Sequence, residues 1–239
     1  MPGTQDRTAL LTDVSLHYRE TGAPDGLAVI AVHGHPGTGT AASWDEAATL
    51  ICAAGPYRFL ALTQRGYGTS GRRGPYSLEG FSDDIFAFAS ALDIERFVLL
   101  GHSMGGTIAS LAAERDPDRL LGLVLEDSVL PREGHRMQMP KRPESEPPYD
   151  WEIVPAVFGQ LDKPDPRWWP ALARINAPTL VIAGGSTSHV PQYLLAEAAE
   201  LIPDARLVTL EGAGHNAHRT EPQRFTAALT DFLAGLVSA

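Results

Sequence analysis

A serine with glycines two residues to either side, Gly101-His102-Ser103-Met104-Gly105, is the stretch of this sequence best suited to covalent chemistry. A serine hydroxyl is a weak nucleophile near neutral pH. It needs a base to take its proton and donors to stabilise the oxyanion it creates. The apolar run Phe97 to Leu100 precedes this serine, and a helix-like segment, Thr107 to Glu114, follows. In such a strand–turn–helix the serine is held in a strained backbone conformation with its hydroxyl presented, and the glycines let strand and helix approach closely. The helix start supplies free N–H groups and positive dipole where the oxyanion forms. Met104 N–H, from the residue after the nucleophile, is therefore one expected donor. A Gly-Ser loop without chemistry has the same five letters, and the flanking elements decide for the nucleophile. Eight histidines leave the base open at this stage.

The bulk numbers bound the answer. A chain of 239 residues, 44% hydrophobic and 20% charged, is expected to form one soluble domain, 1–239. The net charge of −10 argues against a nucleic-acid partner, which needs a basic face. The single cysteine, Cys52, excludes an internal disulfide and lies in a helix-like stretch as a small core residue. The polar N-terminal stretch has no signal-peptide pattern, and no apolar run reaches the ~18 residues that span a bilayer, so a cytoplasmic protein without a membrane partner is expected. There is no His-Glu-x-x-His, no thiolate cluster and no Gly-rich phosphate loop, since Gly184-Gly185 lacks the spacing. Neither metal nor organic cofactor is expected.

The elements that must position Ser103 alternate along the chain. Val14 to Glu20 reads as a half-buried antiparallel edge strand and Leu27 to Val32 as a strand covered on both faces. Trp44 to Ala53 predicts a helix with Ser43 as its N-cap, and Phe59 to Leu62 the next strand. Ser77 caps a helix from about Leu78 to Leu92, and Leu120 to Leu125 is the strand after the serine. Thr179 to Ala183, a helix from about Gln192 to Ala199, Arg206 to Leu210 and a final helix from Pro222 complete the pattern. Strands alternating with helices imply a largely parallel sheet with its ligand at the carboxyl ends. One segment breaks the rhythm. Pro131 to Pro170 holds nine of the nineteen prolines together with Trp151, Trp168 and Trp169.

Four motifs in a fixed order carry a resemblance: the serine turn, His33-Gly34-His35-Pro36-Gly37, Arg65-Gly66-Tyr67-Gly68-Thr69-Ser70, and Gly212-Ala213-Gly214-His215. From about Val14 to Leu236 the chain resembles the α/β-hydrolases. The resemblance implies an α/β-hydrolase fold, a mostly parallel twisted sheet of about eight strands with helices on both faces. It makes the segment at about 131–170 a short, irregular cap, with Lys141 to Glu146 a surface linker. Buried aromatic area there predicts an apolar pocket lined by Trp151, Phe158, Trp168 and Trp169, with His189 near the seventh strand. It selects His215 as the base by its place after the nucleophile and acid. His33 and His102 then read as turn packing, while His17, His135 and His218 have no motif around them. It also gives the second oxyanion donor as the His35 N–H, since Pro36 has none. The implied activity is a cofactor-independent serine hydrolase acting on a small-molecule ester, lactone or thioester. A C–C bond hydrolase or perhydrolase is its rival on the same fold, and a ligand receptor with little turnover is the rival from another class.

The acid departs from the family's pattern. After the seventh strand, Gly184-Gly185-Ser186-Thr187-Ser188-His189 contains no carboxylate, and Thr187 stands where the aspartate is usual. Some relatives carry the acid after the sixth strand, where this chain has Glu126-Asp127. Side chains alternate along a strand, so if extended geometry continues only one of the pair can face His215. Alignment on Gly122 favours Asp127, with Glu126 and a dyad without acid as alternatives.

Overall fold

Phe97 to Leu100 and Leu27–Val32 are apolar at successive positions, and burial on both faces is what such runs require. In the computed structural model, which describes residues 3–35, 39–134 and 136–238, they are the central strands of an eight-stranded sheet. The strands are β1 (Gln5–Leu10), β2 (Ser15–Gly22), β3 (Leu27–Val32), β4 (Tyr57–Leu62), β5 (Phe97–His102), β6 (Leu120–Glu126), β7 (Thr179–Ala183) and β8 (Ala205–Thr209). Their order is β1-β2-β4-β3-β5-β6-β7-β8, antiparallel as far as β4 and parallel from there.

The strand period of two divides the core. Ile30, Val32, Leu60, Leu99, Leu123 and Val181 face one layer, and Val29, Ala31, Phe59, Val98, Val124 and Leu180 face the other. The first layer is closed by α2 (Leu78–Ala91), α3 (Met104–Arg115), α4 (Ile153–Asp162) and α6 (Gln192–Leu201), through Phe81, Ile108, Val157 and Leu195. The second is closed by α1 (Asp45–Ala54) and α8 (Pro222–Ser238), through Ile51, Phe225 and Leu229. Among the described residues no helix is long and apolar enough to cross a membrane. Cys52 is half-buried, donates to Thr21 O at 3.3 Å, and has its thiol pushed up to about 11 by burial.

Three local expectations change. β2 is not an edge, because the polar stretch Gln5–Leu10 adds β1 outside it. Only Ala9 of β1 is buried, so its pairing rests on the backbone ladder and leaves no hydrophobic period to read. Ser43 is not an N-cap. It lies inside a 3-10 turn, Ala41–Trp44, and its hydroxyl donates to Thr40 O at 2.8 Å, while Ser77 does accept from Gly80 N–H as expected. The proline-rich segment is also less irregular than its composition suggests, since it forms α4 and the short α5 (Trp168–Ala171). Pro155 is the third residue of α4, within the first turn, where a missing N–H costs no helical bond. Residues 141–146 are exposed throughout. The segment is pinned to the body by Gly68 N–H to Pro148 O at 3.0 Å and Asp150 N–H to Gly66 O at 2.7 Å.

Candidate active site

The turn after β5 has no room for side chains at its glycines. A Cβ on Gly101 would lie 2.3 Å from Gly105 O, and one on Gly105 would lie 2.3 Å from Val32 O. Ser103 itself has φ +53°, a region that non-glycine residues rarely occupy. Its conformation is held from both neighbouring elements. Ser103 N–H donates to Glu126 O at 3.1 Å, and Ser103 O accepts from Gly106 N–H, Thr107 N–H and Ser128 Oγ. The Met104 N–H, at the start of α3, and the His35 N–H donate to no described residue. Gly34 brings the His35 loop against the serine, because a Cβ there would lie 3.0 Å from Ser103 Cβ.

His215 is carried on a 3-10 turn, Gly214–Asn216, between β8 and α7 (Ala217–Thr220). Two bonds fix it. His102 Nε2–H donates to His215 O at 2.7 Å, and His215 Nδ1–H donates to Asp127 Oδ2 at 2.8 Å. The ring lies against His189, centroids 4.2 Å apart, and against His102, 4.7 Å apart. Burial lowers His102 to about 4 and moves His189 in the same direction, so both neighbours are neutral near pH 7. No hydrogen bond joins the Ser103 hydroxyl to His215 among the described residues. Such bonds are commonly long before a substrate tightens the site.

The two adjacent carboxylates separate, though not by the pleat: β6 ends at Glu126, and Asp127 turns out of it at φ +44°. Asp127 reaches His215. Glu126 lies on the opposite side and accepts from His218 N–H at 2.8 Å and from His218 Nδ1–H at 2.8 Å. Asp127 is fully buried at φ +44°; desolvation raises its pKa, but hydrogen bonds from His215, Ser188, Gly184 N–H and Gln192 outweigh that and hold it below the usual carboxylate value. Thr187 is exposed and its hydroxyl makes no hydrogen bond among the described residues, so it does not replace the carboxylate. Ser188 and Gln192 are the residues that sequence reasoning missed here. The hydroxyl-rich run after β7 was the available signal, because donors gathered at a strand end need an acceptor.

His102, Glu126 and His218 bring three possible ligand atoms within 4.8 Å of one another, a cluster no sequence motif announced. His102 Nε2 is engaged by His215 O and His218 Nδ1 by Glu126, while the His218 ring stacks on Trp44 at 4.1 Å. The cluster therefore braces the turn that carries His215.

On the other side of Ser103, His35 Nδ1 shares a 2.5 Å hydrogen bond with Tyr67 OH. Burial lowers the imidazole to about 3, so it is neutral. Phe158, from α4, meets the His35 ring at 5.0 Å, and Tyr149 meets it at 6.0 Å. Phe158 and His189 thus reach the site, whereas Trp151, Trp168 and Trp169 make no ring contact with its histidines. Trp168 is turned into the core at 8% exposure, and Trp169 lies under the Arg132 guanidinium at 3.8 Å. Composition could report that these rings need burial but not where they find it. Pro36, Gly37 and His135, named above, lie outside the described residues. A depression of about 950 Å³ lies at the amino ends of the parallel strands, lined by Arg96, Leu120, Thr179 and Arg206, at the opposite end of the sheet from Ser103.

Comparison with known proteins agrees with this architecture. The profile of the Alpha/beta hydrolase family matches residues 29–228. A non-heme chloroperoxidase from Streptomyces lividans is 27% identical over 92% of this chain and 96% of its own. An N-formylmaleamate deformylase from Pseudomonas putida is 29% identical over 91% and 92%. Among solved structures, a thermophilic esterase from Thermogutta terrifontis superimposes with TM-score 0.79 at 24% identity, over 97% of this chain and 99% of that one, a likeness of fold.

Proposed function

The chain belongs to the alpha/beta hydrolase family, and on that premise we propose a cofactor-independent serine hydrolase that cleaves a carboxylic ester, lactone or thioester of a largely apolar small molecule. The observation that carries the reading is the Asp127–His215 bond, tied through His102 to the turn that holds Ser103 at positive φ. Ser103 Oγ attacks the carbonyl carbon while His215 Nε2 takes its proton. Asp127 keeps the Nδ1–H tautomer and stabilises the imidazolium. The His35 and Met104 N–H groups receive the oxyanion. His215 then protonates the leaving group, and water, deprotonated by the same imidazole, releases the acid and regenerates Ser103.

A fluorophosphonate probe tests this directly. Stoichiometric labelling of the Ser103 peptide, with turnover of short-chain chromogenic esters, is the expected result. An unlabelled serine and no turnover across the panel would make the protein a binder on a hydrolase scaffold.

The aromatic cap sets the pocket's size through Phe158, which meets the His35 ring. Phe158→Ala is expected to shift the preferred acyl or alcohol length upward, measured as kcat/KM along an ester series. Trp168→Ala should instead cost about 3–5 kcal/mol of stability, because it empties a core position. A change in chain-length preference from Trp168→Ala alone would return that ring to the pocket.

A further inference from the structure

The proposed acid comes from β6, and the loop after β7, where relatives commonly carry an acid, holds a set of donors instead. We propose that Ser188 and Gln192 are positioning residues that aim Asp127 at His215. The proposal rests on the hydrolase reading above and adds to it two residues from the β7–α6 connection.

Asp127 has four hydrogen-bonding partners, divided evenly between its oxygens. Oδ1 accepts from Gly184 N–H at 3.0 Å and Gln192 Nε2 at 3.2 Å. Oδ2 accepts from His215 Nδ1–H at 2.8 Å and from the Ser188 hydroxyl. A buried carboxylate needs such compensation, since each lone pair left bare costs desolvation energy. The φ of +44° is a second reason, because a strained residue persists only where its surroundings over-determine it.

Both side chains are committed as donors by their other partners. Val190 N–H donates to Ser188 Oγ at 3.0 Å, which leaves that hydroxyl's proton for Asp127. Gln192 Oε1 accepts from Gly185 N–H at 2.9 Å, which turns its NH2 toward Asp127 and toward Val190 O at 2.8 Å. The amide orientation is therefore fixed by backbone groups on both sides. Neither residue carries charge, so the carboxylate keeps its full charge for the imidazolium that forms on His215. A carboxylate so bonded can neither rotate away from Nδ1 nor pick up a proton easily.

Loss of Ser188 leaves Oδ2 with His215 Nδ1–H as its one donor, so the carboxylate is aimed only through Oδ1, by Gly184 N–H and Gln192. It also makes the carboxylate more basic, which strengthens its pull on a protonated imidazole. The other groups facing His215 are His189, from the same connection, and His102, from β5, with Glu126 and His218 beyond His102. His102, Glu126 and His218 lie on other elements and are untouched by a change at Ser188 or Gln192, whereas His189 follows Ser188 in a loop where Val190 N–H donates to Ser188 Oγ, a bond that Ser188→Thr keeps.

The experiment compares Ser188→Ala, Ser188→Thr and Gln192→Leu in the full chain. It reads kcat and KM on a chromogenic ester, and the NMR titration of the His215 ring. For Ser188→Ala and Gln192→Leu we expect kcat to fall roughly 10- to 100-fold, as supporting partners commonly cost, with KM within about twofold. The His215 titration should move to higher pH in Ser188→Ala, and Ser188→Thr should restore both readouts. Wild-type kcat and an unmoved His215 titration in Ser188→Ala and Gln192→Leu would overturn the proposal, whatever happens to thermal stability. A wild-type chain that turns over no ester would defeat the hydrolase reading. The titration would still report whether Ser188 acts on His215 through Asp127.

Discussion

Ser103→Ala is expected to abolish ester turnover, with a loss in kcat on the order of 10⁶, while the protein melts as the wild type does. The asymmetry follows from what the hydroxyl does. The turn is held by backbone bonds, Ser103 N–H to Glu126 O and Ser103 O to Gly106 and Thr107 N–H, and the Ser103 hydroxyl takes part in none of them. Alanine also keeps the positive-φ backbone, so strain is neither added nor relieved. His215→Ala should do nearly equal damage, because nucleophile and base act as one unit and their losses do not add. Steady-state kinetics on both variants and the double variant check this, with residual hydrolysis separated from background by active-site titration. A double variant whose defect is the product of the two single ones would show that the residues work independently. Near-wild-type turnover in Ser103→Ala would remove the mechanism.

Asp127→Asn should cut kcat on the order of 10⁴, the loss expected when an acid that fixes the imidazole tautomer becomes an amide. The amide is isosteric but can present its NH2 to His215 Nδ1. It also loses the charge that the imidazolium requires. Glu126→Gln should cost far less turnover. Its larger effect should be on stability, since Glu126 is fully buried and accepts from both the backbone and the ring of His218. An amide nitrogen there would face another donor, and an unsatisfied buried group costs about 1–3 kcal/mol. Paired kinetics and thermal unfolding of the two variants give the ranking. The reverse order in kcat would move the acid to Glu126, and two mild effects would mean that something other than either carboxylate orients His215.

Side-chain deletion in the loop bearing His35 spares the group expected to act. Its expected contribution to the oxyanion hole is a backbone N–H, which His35→Ala retains. What that substitution removes is the contact with Tyr67 and Phe158.

The parts of this protein legible in the sequence are those with local causes. Continuous apolar runs predict doubly covered strands, and β3, β5 and β6 are such strands, because a segment buried on both faces cannot afford polar residues on either. Gly101 and Gly105 mark a close approach of strand and helix, and a Cβ at either position meets a carbonyl oxygen. Strand β1 was silent because an exposed edge is held by backbone bonds, which leave no side-chain period. The tryptophans of the α4–α5 segment signalled burial without direction, and only packing turned Trp168 into the core and brought Phe158 to His35. Side-chain alternation predicts that Glu126 and Asp127 part if the strand continues, but β6 ends at Glu126 and the turn at Asp127 sets its direction, and alternation does not say which one meets the histidine. That depends on where β8 ends and how Gly212 and Gly214, both at positive φ, fold the chain back. Ser188 and Gln192 were less legible still. Their meaning lies in an acceptor some sixty residues away in sequence, one strand over in the sheet, brought to them by the parallel pairing of β6 with β7.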